Sequence, residues 1–369
     1  MLNKSFKFLG WVCSIFLLIL SITFITKEVS KETINNVPTN ASSLSKVHFI
    51  DVGQGDAILI ETDEHYMLID AGENNQGTTV VNYLKELGIK KLDYVIGTHP
   101  HSDHIGGLDT VIYSFDIGKV IMPDVVHTTK TFEDVLDAIS EKDLKITKAI
   151  AGTTYSLGTT SFTIVAPNGS DYDGLNDYSV GIKFVNGENS FLLTGDAEKL
   201  SETEMLHNGI DLSADVLKLG HHGSSTSSQE DFLDEVQPDY AVISAGVDNS
   251  YGHPHVETLQ KLKDRNIEVF RTDLQNTIIF TSDGEHITVN KEPYSITQSD
   301  LSRATKNNSA KSAKDKSKNS GSTIVHITNT GRKYHVAGCR FLKVDIEVTL
   351  DEALAKGLEP CGTCKPPAK

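Results

Sequence analysis

Seven consecutive residues, Thr98-His99-Pro100-His101-Ser102-Asp103-His104, constrain this chain more than any other stretch. Four of those side chains are good ligands for a divalent metal. His99 and His101 are two apart, so on an extended segment they project to the same side. Asp103 and His104 are adjacent and must lie on a turn to point at a common region. Residues 92–97 upstream read as a short buried strand, and Gly106-Gly107 downstream lets the backbone turn sharply before a helix. Such a cluster at the C-terminal end of a strand predicts a metal site with room for two ions.

The other strand ends repeat this pattern. Residues 47–52, 57–61 and 66–70 read as strands, the last ending in Asp70 and followed by Ala71-Gly72. Residues 77–87 and 132–144 read as amphipathic helices and 161–166 as a strand. The strand 191–194 ends in Gly195-Asp196, where a carboxylate can bridge two ions ~3.5–4 Å apart. The strand 214–219 ends in Gly220-His221-His222-Gly223-Ser224-Ser225. One histidine of that pair is expected to reach the second metal and the other the substrate. His221 is the favoured ligand, which leaves His222 and Ser224 to contact substrate. After the strand 240–245 come Tyr251-Gly252-His253-Pro254-His255, just before a helix over 256–265. His253 is a candidate substrate contact. His255, near that helix N-terminus, is placed to donate a proton to a leaving group. Short apolar strands alternating with helices imply an α/β sandwich with its helices outside.

The motifs His48–Ala57, Leu68–Gly72, His99-x-His101-x-Asp103-His104, Leu193–Asp196, His221–Ser224 and Tyr251–His255 resemble, in this order, the metallo-β-lactamase fold. Within it they are similar to the hydrolase domain of ComEC-like competence proteins. The resemblance covers about residues 46–290 and implies an αββα sandwich. It also implies that Asp70 orients the metal loop rather than binding metal. His99, His101 and Asp196 would hold one ion, and Asp103, His104, Asp196 and His221 the other, as Zn²⁺ or Mn²⁺. A water between the ions would have its pKa lowered from 15.7 toward ~7, with Asp103 positioning or deprotonating it. Many members of the fold carry a further histidine near residues 175–180. This chain has none between His127 and His207, and Asn176 or Asp177 is left to supply an oxygen or to cap the turn. A site richer in oxygen suits Mn²⁺ better than a three-histidine zinc site does.

Charge and hydropathy divide the 369 residues further. Lys4 and Lys7 precede an uncharged apolar run over 8–25, long enough at ~1.5 Å per residue to span most of a ~30 Å hydrocarbon core. Residues 1–26 are expected as a signal anchor or a cleaved signal peptide, the anchor being favoured, with the rest of the chain exported. Residues 27–45 read as a tether. The body 46–290 holds 16 Lys and Arg against 40 Asp and Glu, a net of −24. That is an unusual balance for a tight nucleic-acid binder, whose affinity comes largely from neutralising phosphates. Residues 291–322, rich in Ser, Lys and Asn, read as a disordered basic linker. None of the four cysteines lies in the body, so no disulfide framework is expected there.

The remaining residues, 323–369, contain His335-x3-Cys339 and Cys361-x2-Cys364. Two such pairs can close a tetrahedron around a structural Zn²⁺. In a module of this size the metal would supply much of the folding free energy. The segment resembles the metal-binding module of Ada-type DNA repair proteins. His335 stands where those proteins have their methyl-accepting cysteine, so methyl transfer does not carry over. DNA contact through Arg332, Lys333, Arg340, Lys343 and Lys365 does. The leading expectation is a membrane-tethered, extracytoplasmic phosphodiesterase acting on DNA. Hydrolysis of a lactone, β-lactam or choline phosphoester is the alternative, and a non-catalytic DNA- or partner-binding module is a third. No protein partner is inferred.

Overall fold

Period-two alternation sets the layers of the molecule. The computed structural model describes residues 43–302, 324–328, 332–339, 342 and 346–367. Strands β1 (Ser45–Phe49), β2 (Ile58–Thr62), β3 (His65–Ile69), β4 (Lys91–Ile96), β5 (Asp116–Met122) and β6 (Ile146–Lys148) form most of one sheet. The second sheet runs from β7 (Thr154–Leu157) through β8 (Thr160–Ala166), β9 (Gly181–Asn186), β10 (Asn189–Leu193), β11 (Val216–Lys218) and β12 (Tyr240–Ile243) to β13 (Glu268–Arg271). β14 (Ile278–Ser282) and β15 (Ile287–Val289) return to the first sheet, whose order is β15-β14-β1-β2-β3-β4-β5-β6.

Ile58 and Ile60 of β2, Met67 and Ile69 of β3, and Phe191 and Leu193 of β10 point between the sheets. Leu59 and Leu68 point to the outer face of the first sheet, and Leu192 and Leu217 to that of the second. Each such face needs a cover. The helices are α1 (Gly77–Glu86), α2 (Ser102–Ile105), α3 (Leu108–Ser114), α4 (Lys130–Glu141), α5 (Lys199–His207), α6 (Glu230–Val236), α7 (Val256–Asp264) and the short α8 (Thr272–Gln275). α1, α3 and α4 bury Leu84, Val111 and Val135 against the first sheet. α5, α6 and α7 bury Met205, Phe232 and Leu262 against the second. At about 1.5–3 kcal/mol for each buried aliphatic or aromatic side chain, these three layers of core hold the αββα sandwich together.

Two local readings change. Gly106 and Gly107 have ordinary right-handed backbone angles, so freedom to turn is not their use. A Cβ on Gly106 would lie 2.3 Å from Asn74 N, and one on Gly107 2.4 Å from Ala71 O. Glycine is needed there so that neighbouring backbones can approach. The basic segment after residue 290 also stays packed at first. Tyr294 bridges to Val269, and Ile296 and Leu301 lie on the α5–α7 core.

The apolar run 8–25 lies outside the described residues, as do Arg340 and Lys343. Among the described residues no helix is long and apolar enough to cross a membrane. In the C-terminal segment, β16 (Ile324–Ile327) pairs antiparallel with β18 (Ile346–Thr349), and β17 (Lys333–Tyr334) pairs with β19 (Glu359–Pro360). Val325, Ile327, Tyr334 and Ala353, the last from α9 (Leu350–Ala355), form its small core.

Candidate metal centre

β3, β4 and β5 run parallel, as do β10, β11, β12 and β13. Polar residues therefore gather at the carboxyl ends, where parallel α/β sheets leave a crevice for ligands. β3 delivers Asp70, β4 the metal loop, β10 Asp196, and β11 the two consecutive histidines.

His104 Nε2 and His222 Nε2 face each other at 3.3 Å. Asp196 Oδ2 lies 3.2 Å from the first and 3.4 Å from the second, and Asp103 Oδ2 lies 3.2 Å from His222 Nε2. On the other side, His99 Nε2 is 2.9 Å from His101 Nδ1 and 4.0 Å from Asp196 Oδ2. Asp103, with its side chain 20% exposed, sits toward solvent, whereas His104, Asp196 and His222 are buried. The cluster is closed below and open above, as a catalytic rather than a purely structural metal site requires.

The groups behind the cluster aim its rings. His104 Nδ1 donates to Asp70 Oδ2 at 2.8 Å, and His222 Nδ1 donates to the Ser244 carbonyl at 3.0 Å. Both bonds leave Nε2 for a cation. Asp70 also accepts from Thr98 N and Oγ1, at 2.8 and 2.6 Å, tying the start of the metal loop to β3. Ser179 Oγ lies 3.3 Å from His99 Nδ1 and accepts from Asp196 N, so it stands beside the position lacking a third histidine. Gly55, at φ +128°, approaches the metal loop so closely that a Cβ would meet the Asp103 carbonyl at 2.1 Å.

Below the cluster lies a pair that sequence reasoning missed. Lys218 Nζ is 2.7 Å from Asp56 Oδ2, and both side chains are buried. Lys218 alternates with the outward Leu217, so it faces between the sheets, where an unpaired ammonium would be costly. The only signal was a charged residue at an inward position of an apolar strand. Asp56 Oδ1 stands 3.4 Å from His222 Nδ1. Its other oxygen is held by Lys218, and Asp56 joins His104, Asp196 and His222 in a buried group whose ligand atoms all lie within 4.8 Å of one another.

Electrostatics show what the cluster demands. Burial opposes charge on His104 and His222, yet Asp196 and Asp103 hold both imidazoles well above their ordinary range. Burial likewise raises Asp196, but His104 and His222 hold its carboxyl well below the carboxylate range. Burial and the neighbouring His104 push His99 far down. Positive charge is thus favoured between the two Nε2 atoms and Asp196. Asp196 Oδ1, buried without a hydrogen-bond partner, is an acceptor facing nothing in the protein. Nitrogen and carboxylate donors, a buried oxygen without a partner and this charge preference fit a metal cation.

Several expected residues lie elsewhere. His221 Nδ1 is 2.9 Å from Glu198, and its Nε2 is 3.9 Å from Asp196. The favoured assignment of His221 as ligand is thus reversed, and His222 enters the cluster. The reason is backbone: His221 and His222 both have positive φ, 49° and 54°, so the second ring turns inward where an extended strand end would project the first. Two left-handed non-glycine residues in a row are strained, a condition common at functional sites. Ser224 is buried and bonded to Thr226 within the turn rather than open to substrate. His253 is buried against His221 and His222, its Nδ1 without a partner. His255 precedes α7, where its Nδ1 accepts from Ser225 N at 2.9 Å and its Nε2 lies 3.3 Å from the Tyr251 carbonyl. Both ring nitrogens are thereby engaged within the loop. Asp177 accepts from the Glu198 and Ser201 backbone and so caps α5, while Asn176 donates to Glu198.

In the C-terminal segment, ligand atoms of His335, Cys339, Cys361 and Cys364 lie within 4.8 Å of one another. His335 Nδ1 is 3.3 Å from Cys339 Sγ and 3.7 Å from Cys364 Sγ, and none of the three thiols is in a disulfide. Backbone N–H groups of Cys364 and Thr363 bring the Cys361 thiol down to about 7, which favours the thiolate a metal needs.

Comparison with known proteins agrees with the body of the chain. Residues 50–247 match the family described as the metallo-beta-lactamase superfamily. ComE operon protein 3 of Bacillus subtilis is 33% identical over 255 residues, 64% of this chain and 33% of that protein. Competence protein ComA of Neisseria gonorrhoeae is 29% identical over 246 residues, 66% and 33% of the two chains. The chain thus spans about a third of the length of these curated relatives. A shorter stretch of 63 residues, 17% of this chain and 24% of that protein, is 35% identical to exodeoxyribonuclease YycJ of Bacillus anthracis. Among solved structures, the metallo-beta-lactamase fold protein YhfI of Bacillus subtilis is similar at a TM-score of 0.43 and 14% identity, over 65% of this chain and all of that one. The sandwich and the ligand order had pointed the same way: the chain belongs to the metallo-beta-lactamase superfamily, as a ComEC-like protein of that fold.

Proposed function

We propose that this chain is a metal-dependent phosphodiesterase that cuts DNA, tethered outside the cytoplasm by its N-terminal apolar run. The observation that carries the reading is Asp196, whose Oδ2 lies between two imidazole Nε2 atoms while its Oδ1 is buried and unpartnered. His99, His101 and Asp196 would hold one divalent ion, and Asp103, His104, Asp196 and His222 the other, with Mn²⁺ and Zn²⁺ as candidates. Two such ions supply a water acidic enough to attack at neutral pH and positive charge for the attacked phosphoryl oxygens. The protein's own groups do the rest. Asp103, at the open edge, orients the attacking water, and Asp70 and the Ser244 carbonyl keep the two Nε2 lone pairs aimed. The names of the relatives, two competence proteins and an exodeoxyribonuclease, support nucleic acid as substrate. A single Zn²⁺ on His335, Cys339, Cys361 and Cys364 would hold the basic C-terminal module together for contact with DNA.

The acidity of the body favours a second reading, hydrolysis of a small ester or lactam. The test uses the chain stripped of metal and reloaded with Mn²⁺ or Zn²⁺, beside Asp103→Ala. Metal-dependent cleavage of single-stranded or duplex DNA, lost in the variant, is the expected result. Folded protein that cuts no DNA with either ion but turns over a small ester would move the assignment to the second reading.

A further inference from the structure

A series of three rings leads from solvent to the metal cluster. Tyr251 is 64% exposed, an unusual setting for a tyrosine beside a buried polar site. One face of its ring lies on His253, with centroids 5.6 Å apart and planes 19° apart. His253 in turn neighbours His222, with centroids 6.0 Å apart and planes tilted by 30°. Three rings are therefore arranged in series, the innermost belonging to the cluster itself.

The turn that carries Tyr251 is fixed from within. Asn249 donates to the carbonyls of Gly246 and His253 and accepts from His253 N. His255 lies against the Tyr251 carbonyl. The backbone that carries the ring is thus held in place, and Val247 on the same turn is also exposed. No hydrogen bond to a described residue occupies the Tyr251 hydroxyl, so burial of a polar tip does not explain its position.

We propose that Tyr251 is a base-stacking platform, on which a nucleobase next to the scissile phosphate of single-stranded DNA rests its face. The proposal rests on the phosphodiesterase reading and names the form of its substrate. It also answers the charge problem. A body with a net of −24 gains little from phosphate neutralisation along its surface. Stacking on an aromatic ring is indifferent to that charge and tolerant of sequence. A duplex offers no unstacked base face, so single strands are preferred.

The experiment uses the full chain loaded with Mn²⁺ and two single-stranded oligonucleotides of equal length and charge. One carries all its bases, and the other has abasic positions on both sides of the cleaved bond. Tyr251→Ala is expected to raise KM for the first on the order of 10-fold with kcat little changed. It should leave KM for the abasic strand unchanged, while Tyr251→Trp keeps the wild-type KM. An unchanged KM in Tyr251→Ala, or an equal rise for both strands, overturns the platform while leaving the phosphodiesterase reading intact. Failure of the wild type to cut either strand, with Mn²⁺ and with Zn²⁺ alike, removes both.

Discussion

Replacing Lys218 by methionine tests whether the ion pair beneath the metal centre holds the site together. The ammonium lies 2.7 Å from Asp56 Oδ2 and also donates to the Leu219 carbonyl at 2.9 Å. Methionine fills much of the same volume but leaves Asp56 as an uncompensated charge, 2% exposed. Removing one partner of such a pair costs about 3–5 kcal/mol. At roughly 2–4 °C per kcal/mol for a unit of this size, the thermal midpoint should fall by about 6–20 °C. Removing both charges, in Lys218→Met with Asp56→Asn, should restore most of the loss. Thermal unfolding beside urea unfolding, with a chelator present, is the assay, because bound metal would add stability of its own.

The pH dependence carries a sign of its own. Burial alone would raise Asp56, but Lys218, with His222 and His104, holds it below the ordinary value. Its stabilising contribution is therefore present above about pH 4 and lost as pH falls through the folded value. Without Lys218 the balance reverses, and the folded carboxyl rises above its unfolded value. The variant then loses stability as pH rises above about 4, so its deficit relative to wild type widens with pH. A deficit below about 1 kcal/mol, a deficit independent of pH, or a double variant weaker than the single would refute this account.

After dialysis, His222→Ala should retain about one metal ion fewer per chain than wild type by elemental analysis, while His221→Ala, anchored to Glu198, retains the full number; the opposite ranking would return the ligand role to His221. Burial pushes Glu202 up to about 7, despite its bonds from Ser228 N and Gln229 N, at 2.5 and 3.0 Å. A folded value above the unfolded one gives stability that is complete below about pH 4.5 and declines as pH rises through about 7, so urea midpoints should drop over that window less in Glu202→Gln than in wild type. In the C-terminal segment, Cys361→Ser should lose one Zn²⁺ per chain and collapse the dispersed amide signals of Val325 and Tyr334 in NMR spectra. Preserved dispersion without metal would show that its small apolar core suffices.

The metal loop, Asp196 and the strand ends were legible because ligand chemistry and strand periodicity are both local patterns. What could not be read was set by backbone handedness or by partners distant in the chain. Nothing in His221-His222 announces two left-handed residues, and that turn alone decides which ring enters the cluster. The covering helices α5 and α6 lacked a clear signal; α5 buries Ser201 and Glu202 as well as Met205, so no apolar stripe marks it. Lys218 and Asp56 each looked unremarkable until the fold placed them together.

These misses share a physical origin. Asp56, Asp70, His99, His104, Asp196, Lys218 and His222 are all buried. A buried polar group is tolerated only when another group answers it. Asp70 answers His104 and Thr98, the Ser244 carbonyl answers His222, and Lys218 answers Asp56. Asp196 Oδ1 and Asp56 Oδ1 are left without a hydrogen-bond partner, and Asp196 lies between the two imidazole Nε2 atoms. A fold that satisfies so many buried groups around buried carboxylate oxygens left without a partner has arranged them for a cation. Substituting any one of them should therefore disturb metal retention even where the residue never touches the ion.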